Sequence, residues 1–160
     1  MRTTGATACV ALTAAVLFTA CAGSGGDGGG GGAPRPACQS QVPGDPVSFA
    51  NNIQPIFDRS CALPGCHLPP ALNGGQNLAR GAAYDDTVDV NATQPRPVLK
   101  RIKPGDPDDS YLFRKIIGDR ISGVLMPQGC PSTPLNGAQC LTPDEIEAIR
   151  TWILECAPRN

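Results

Sequence analysis

Eight cysteines share this chain with a single histidine, and that histidine, His67, stands immediately after one of them. Thiols in that number do not persist unmodified, so they point to disulfides, a metal or a covalently held group. The large side chains are few: one Trp, two Tyr and four Phe in 160 residues. With 19 glycines and 17 prolines, the chain suits neither a helical bundle nor a long-stranded sandwich. Its length allows one ordinary domain with extras, and a core with so few large residues needs a staple. A formal net charge of −1 leaves no electrostatic footprint for nucleic acid. No hydrophobic run reaches the length of a membrane-spanning helix.

Residues 1–20 read as a targeting segment, with Arg2 as its positive start and an almost unbroken apolar stretch from Ala8 to Ala20. The ending Phe18-Thr19-Ala20-Cys21, small residues before a cysteine, resembles the bacterial lipoprotein processing site. That resemblance implies a lipid on Cys21, a membrane contact through it and a place in the cell envelope. Ala22 follows, where an aspartate would mark inner-membrane retention, so the expected site is the outer membrane facing the periplasm. The alternative is a plain secretory leader cut near Ala22. Residues 21–42 then form a Gly/Pro-rich tether: Gly23 to Gly32 is glycine apart from Ser24 and Asp27, and Ala33-Pro34-Arg35-Pro36 continues it. Such a segment buries too little apolar surface to offset the entropy of ordering it. As a coil, its glycine stretch reaches roughly 15–20 Å.

The domain proper is expected over residues 43–160. Phe49, Ile53, Ile56 and Phe57 share one helical face, and Pro55 requires that helix to kink or to restart near Gln54. A second short helix is expected at about 82–88, and Val98 to Lys103 reads as extended up to Pro104-Gly105. Asp106-Pro107 has the form of an N-cap with proline at the first helical position, opening a third helix over 107–117. Residues 118–141 are a long loop, closed by the capping box Thr142-Pro143-Asp144-Glu145. The last helix should reach about Cys156, with Ile146, Ile149, Trp152, Ile153 and Cys156 facing inward. No strand pattern suggests a sheet core, so the expected class is small all-α with long loops. Loops this long fit a compact domain when they wrap something functional.

The chemistry lies in Cys61-Ala62-Leu63-Pro64-Gly65-Cys66-His67, a C-x4-C-H two residues longer than the C-x-x-C-H that attaches c-type haem. With Cys66 and His67 adjacent, a thioether from Cys66 to one haem vinyl brings the next imidazole under the iron. Cys61 then reaches the other vinyl while Pro64-Gly65 bulges outward. Met126 is the one methionine left once Met1 departs with the leader, so an iron that takes a thioether sulfur takes this one. It sits in an aperiodic loop rather than on a helical face, where a methionine usually serves as core filler.

Taken together, these residues resemble a class I-type monohaem cytochrome c domain of exported bacterial lipoproteins. The resemblance is carried by Phe49-Ala50-Asn51-Asn52-Ile53-Gln54-Pro55-Ile56-Phe57 before the cysteine motif and by Lys103-Pro104-Gly105-Asp106-Pro107. Ser110-Tyr111-Leu112, Met126-Pro127 and the closing run from Leu141 to Ile153 complete it, so that it covers about 44–157. It implies a small cytochrome c-like fold, three to four helices around one covalent haem c. Cys61 and Cys66 would be the thioether residues, with His67 and Met126 as axial iron ligands. The implied activity is one-electron transfer to and from redox partner proteins, without enzymatic turnover.

Other readings of the same residues stay open. A zinc site needs four ligands, and no second closely spaced cysteine pair supplies them. A Cys61–Cys66 disulfide in a haem-free, disulfide-stapled surface lipoprotein would leave His67 a surface residue and make the chain a binding or structural module. Thiol–disulfide exchange lacks a C-x-x-C opening a helix after a strand. Cys38, Cys130, Cys140 and Cys156 remain, and four cysteines allow three connectivities. Cys130 with Cys140 is the local choice, leaving Cys38 for Cys156. Arg96, Lys100, Arg101 and Lys103 read as a solvated basic face, with Arg101 or Arg120 a candidate partner for a haem carboxylate. Asp85-Asp86, Asp106, Asp108 and Asp109 read as helix ends and turns. No Ser-His-Asp set or paired carboxylates suggest a catalytic site.

Overall fold

The computed structural model describes residues 45–120 and 123–160. The leader, the tether, Cys21 and Cys38 lie outside the described residues.

The first helical segment resolves the conflict at Pro55 by changing register. In a continuous α-helix the Pro55 ring would collide with the Asn51 carbonyl. Instead Phe49–Ile53 forms a wider π turn, and helix α1, Gln54–Ser60, starts afresh with proline in its first turn, where no backbone donor is missed. Ser48 caps the entry by accepting from the Asn51 N–H at 3.2 Å, while Asn52 Oδ1 accepts from the Ser48 N–H at 2.9 Å. Chain reversal after α1 is followed by a hairpin that the sequence reading did not contain: β1, His67–Leu68, pairs antiparallel with β2, Ala71–Leu72. Pro69 and Pro70 form its two-residue turn. Helix α2, Ala83–Thr87, lies within the expected range.

The third helix is shorter than expected. Asp106 does cap a turn, accepting from the Asp109 N–H at 3.0 Å, but helix α3 spans only Tyr111–Ile117. The reason is competition for backbone donors. In a helix opened at Pro107, the N–H groups of Tyr111 and Leu112 would bond back to Pro107 and Asp108. They bond instead to the carbonyls of Lys100 and Arg101, at 2.8 and 2.9 Å, tying the extended segment 98–103 alongside. Gly118 ends α3 in the left-handed conformation, with φ of 76°.

Helix α4, Pro143–Leu154, begins with the expected capping box: Thr142 Oγ1 accepts from the Glu145 N–H at 3.3 Å, and Glu145 Oε2 accepts from the Thr142 N–H at 2.9 Å. It stops before Cys156 because Cys156 and Ala157 both take positive φ and turn the chain back, the Ala157 N–H bonding to the Trp152 carbonyl at 2.8 Å.

Phe49 lies at the centre of the core, with ring centroids 5.5 Å from Trp152, 5.2 Å from Tyr84 and 6.3 Å from Phe57. Ile53, Leu78, Ile102, Ile149 and Ile153 are fully buried around it. The tail after α4 is bonded into the same cluster: Tyr84 Oη donates to the Ala157 carbonyl at 2.8 Å and Trp152 Nε1 to that of Pro158 at 3.0 Å. Asn160 accepts from the N–H groups of Phe49 and Ala50.

Lys103, read from sequence as part of a solvated face, bridges Asp106 and Asp109 at 2.9 and 3.0 Å. Burial raises the Asp106 pKa, but the hydrogen bonds from Lys103 and the Asp109 N–H, with the charges of Lys103 and Arg114, outweigh it and hold the carboxyl below its ordinary value. A depressed carboxyl stabilises the fold above its unfolded value, about 4, and loses that contribution as pH falls through the lower folded value. The Asp106→Asn variant should therefore have a lower urea midpoint than the parent at pH 7 and nearly the same deficit at pH 5. The deficit should narrow at pH 3 and below. A pH-independent gap would show that the carboxylate charge is irrelevant.

Candidate functional site

The residues singled out in the motif are brought together by short, local constraints. As α1 ends, the Cys61 and Ala62 N–H groups both bond to the Phe57 carbonyl, at 2.9 and 2.7 Å. The chain then makes a closed loop: the Cys66 N–H bonds to the Leu63 carbonyl at 2.9 Å, and the His67 N–H returns to the Cys61 carbonyl at 3.2 Å. Pro64 and Gly65, the two residues beyond the shorter motif, stand exposed at its tip. Gly65 has φ of 81°, a conformation that costs a side-chain-bearing residue. His67 enters β1 and is fixed on its other side by the Leu78 N–H, which bonds to its carbonyl at 2.9 Å.

Cys61, Cys66, His67 and Met126 all line one cavity of about 290 Å³. Counting its open side, the empty space between the walls is about 1370 Å³. Ile56, Phe57, Leu78, Leu112, Ile116 and Ile149 give it an apolar interior. Met126 arrives from the far stretch of chain, its N–H bonded to the Lys115 carbonyl at 2.9 Å. The loop beyond it is held by the Cys130–Cys140 disulfide, with Cα atoms 5.6 Å apart. Two N–H groups of that ring bond to carbonyls just before it, Thr133 to Gly129 at 2.7 Å and Leu135 to Gln128 at 2.9 Å. Cys156 is also disulfide-bonded.

The polar groups at the cavity are in unusual states. Burial pulls the His67 imidazole below its ordinary pKa, and the charges of Arg101 and Lys115 act in the same direction, while the backbone carbonyls of Gln76 and Asn73 oppose it. The ring is therefore neutral at pH 7, the form that binds a metal. Its Nδ1 is buried with no hydrogen bond among the described residues, and Ser60 Oγ, also of the cavity wall, is in the same condition. Buried nitrogens of this kind are nearly always bonded to something. Cys61 and Cys66 are free thiols, not joined to each other. Burial, reinforced by Cys66 and opposed by Arg59, pushes the Cys61 thiol up to about 12. Among the described residues no group of three or more His, Cys, Asp or Glu is placed to hold a metal ion.

Arg101 departs from the solvated face expected of it. It is 6% exposed, lines the cavity, and grips three carbonyls: Asp86 at 2.6 Å, Gly75 at 2.9 Å and Gly74 at 3.1 Å. This holds the turn after the hairpin against His67. Arg120 instead pairs with Asp119 in solvent. Lys115, unremarked in the sequence, is also buried at the cavity. Its burial could not be read from a local pattern, since α3 places it beside the returning Met126 loop.

No protein-family model matches this chain, and no curated protein or solved structure matches it. Among the described residues no helix is long and apolar enough to cross a membrane.

The methionine loop depends on one backbone position. Gly129 has φ of +90°, and a Cβ there would lie 1.9 Å from the Thr133 carbonyl oxygen. Gly129→Ala should cost more than about 1 kcal/mol, since the native conformation cannot admit the side chain. Chemical denaturation checks this, and an unchanged midpoint would show that the loop is free to rearrange.

Proposed function

We propose that this chain is a one-electron transfer protein of the cytochrome c type, small and partly helical, carrying one covalent haem c. The supporting observation is that Cys61, Cys66 and His67, joined by Met126 from 59 residues further along the chain, line a single largely apolar cavity. The residues present suit the group: two free thiols, a neutral imidazole and a thioether, with hydrocarbon walls between them. When bound, haem supplies reversible one-electron exchange at its iron.

In this reading Cys61 and Cys66 would hold the haem covalently, and His67 and Met126 would ligate its iron. The closed loop from Cys61 to His67 fixes the imidazole relative to the cysteines, and the apolar walls exclude water. The positive charges of Arg101 and Lys115 at the cavity favour the less positive, reduced state of the bound group. With His67 and Met126 both ligating, the site would suit electron transfer rather than small-molecule activation. The protein would be held by a lipid on Cys21 at the outer membrane, facing the periplasm, where redox partner proteins dock.

The test is expression in a host that matures c-type haem. The expected product has a Soret band that survives acid–acetone extraction, and His67→Ala loses the low-spin spectrum because the sequence holds no other histidine. Met126→Ala should lower the reduction potential and let the ferrous protein bind carbon monoxide. A folded but colourless protein would overturn the proposal and leave the disulfide-stapled binding module as the reading.

A further inference from the structure

The two-residue expansion of the cysteine motif poses a mechanical problem. A longer loop between Cys61 and Cys66 gives the second sulfur more freedom, whereas a covalent attachment site must present its sulfur in one direction. The loop is clamped from two sides. Asn73 holds its backbone: Nδ2 donates to the Gly65 carbonyl at 2.8 Å, and the Asn73 N–H bonds to the Cys66 carbonyl at 3.1 Å. The sulfur itself is reached from elsewhere in the chain, where Asn136 Nδ2 donates to Cys66 Sγ at 3.4 Å.

Asn136 is mounted for this contact. It lies within the ring closed by the Cys130–Cys140 disulfide, in the short turn Leu135–Gly137, at φ of 56°. Asparagine is among the few side-chain-bearing residues that adopt such a conformation readily. The ring is fastened to α1 as well, through the Gln139 N–H bonded to the Arg59 carbonyl at 3.2 Å. Opposite Asn136, a Cβ on Gly65 would stand 3.0 Å from Nδ2, so the tip of the motif is glycine where the amide passes.

We propose that Asn136 is a positioning residue for Cys66: from the disulfide ring, its amide holds the sulfur at the cavity wall for covalent attachment. This rests on the haem reading above. The disulfide thus serves the attachment motif directly, as the mount of the group that restrains its second cysteine.

Two variants address the contact from opposite sides. Asn136→Gly removes the amide and keeps the positive φ, and Gly65→Ala crowds the amide away. Two readouts are used: mass-spectrometric counting of haem links at Cys61 and Cys66 in protein from a haem-maturing host, and the ratio of Cys66 to Cys61 alkylation by iodoacetamide in haem-free, non-reduced protein. Asn136→Gly should lower the Cys66-linked fraction and raise the alkylation ratio by roughly two- to tenfold, the worth of one hydrogen bond. Gly65→Ala should move both in the same direction, and the double variant should change the alkylation ratio no more than Asn136→Gly alone. An Asn136→Gly protein with wild-type links and a wild-type alkylation ratio overturns the inference. A wild-type protein that takes up no haem overturns the functional proposal instead, while the alkylation ratio still decides whether Asn136 holds Cys66.

Discussion

The packing of Phe49 against Trp152 is the contact on which the rest of the structure depends. It joins the first helical turn to the last helix, and the tilted rings, 5.5 Å apart, leave no room for water between the two ends of the domain. In a chain with so few aromatic side chains, this cluster gathers Phe57, Tyr84 and the tail carbonyls around itself. Aromatic contacts of this kind contribute about 0.5–1.5 kcal/mol beyond the area they bury. Their larger effect is geometric. Once Phe49 and Trp152 are fixed, α1 has one direction, and the cysteine motif at its C-terminal end has one place to emerge.

A second set of constraints is polar and lies on the other side of the cavity. Arg101 is buried, with its charge spread over three carbonyls and an ion pair to Asp86 at 3.5 Å. A planar guanidinium suits this task because its donors are fixed in a fork, so several backbone segments are locked by one side chain. The turn it holds carries the carbonyls that flank His67. The cavity is thus bounded by an aromatic cluster that orients one wall and an arginine that stiffens another.

Much of the helical framework was legible in the sequence because it is written in local chemistry. The Thr142–Glu145 capping box, the restart at Gln54 forced by Pro55 and the short helix at Ala83–Thr87 need only neighbouring residues to specify them. The failures are non-local. Asp106-Pro107 has the signature of a helix start, but the donors that would extend the helix backward are taken by Lys100 and Arg101. Arg101 looked solvated because its partners lie in a glycine turn and in α2, well before it in the chain. The pairing of Cys130 with Cys140 was legible because the two are close in sequence, whereas the contact of Asn136 with Cys66 has no sequence signal. The Pro69-Pro70 pair after His67 is a turn signal that went unread, and the hairpin it forms holds the histidine.

The bond between the two ends of the domain has a consequence in time. Non-local contacts form only after the intervening chain has been closed into a loop. As a chain emerges N-terminus first, Phe49 waits for Trp152, and α1 has no completed core to lean on until the whole domain has arrived. Throughout that interval the loop from Cys61 to His67 lacks both that core and the later residue Asn136, which reaches Cys66 in the finished fold. The topology thus sets an order: the cysteine motif is made early but takes its fixed position last, when Trp152 and the ring that carries Asn136 are in place.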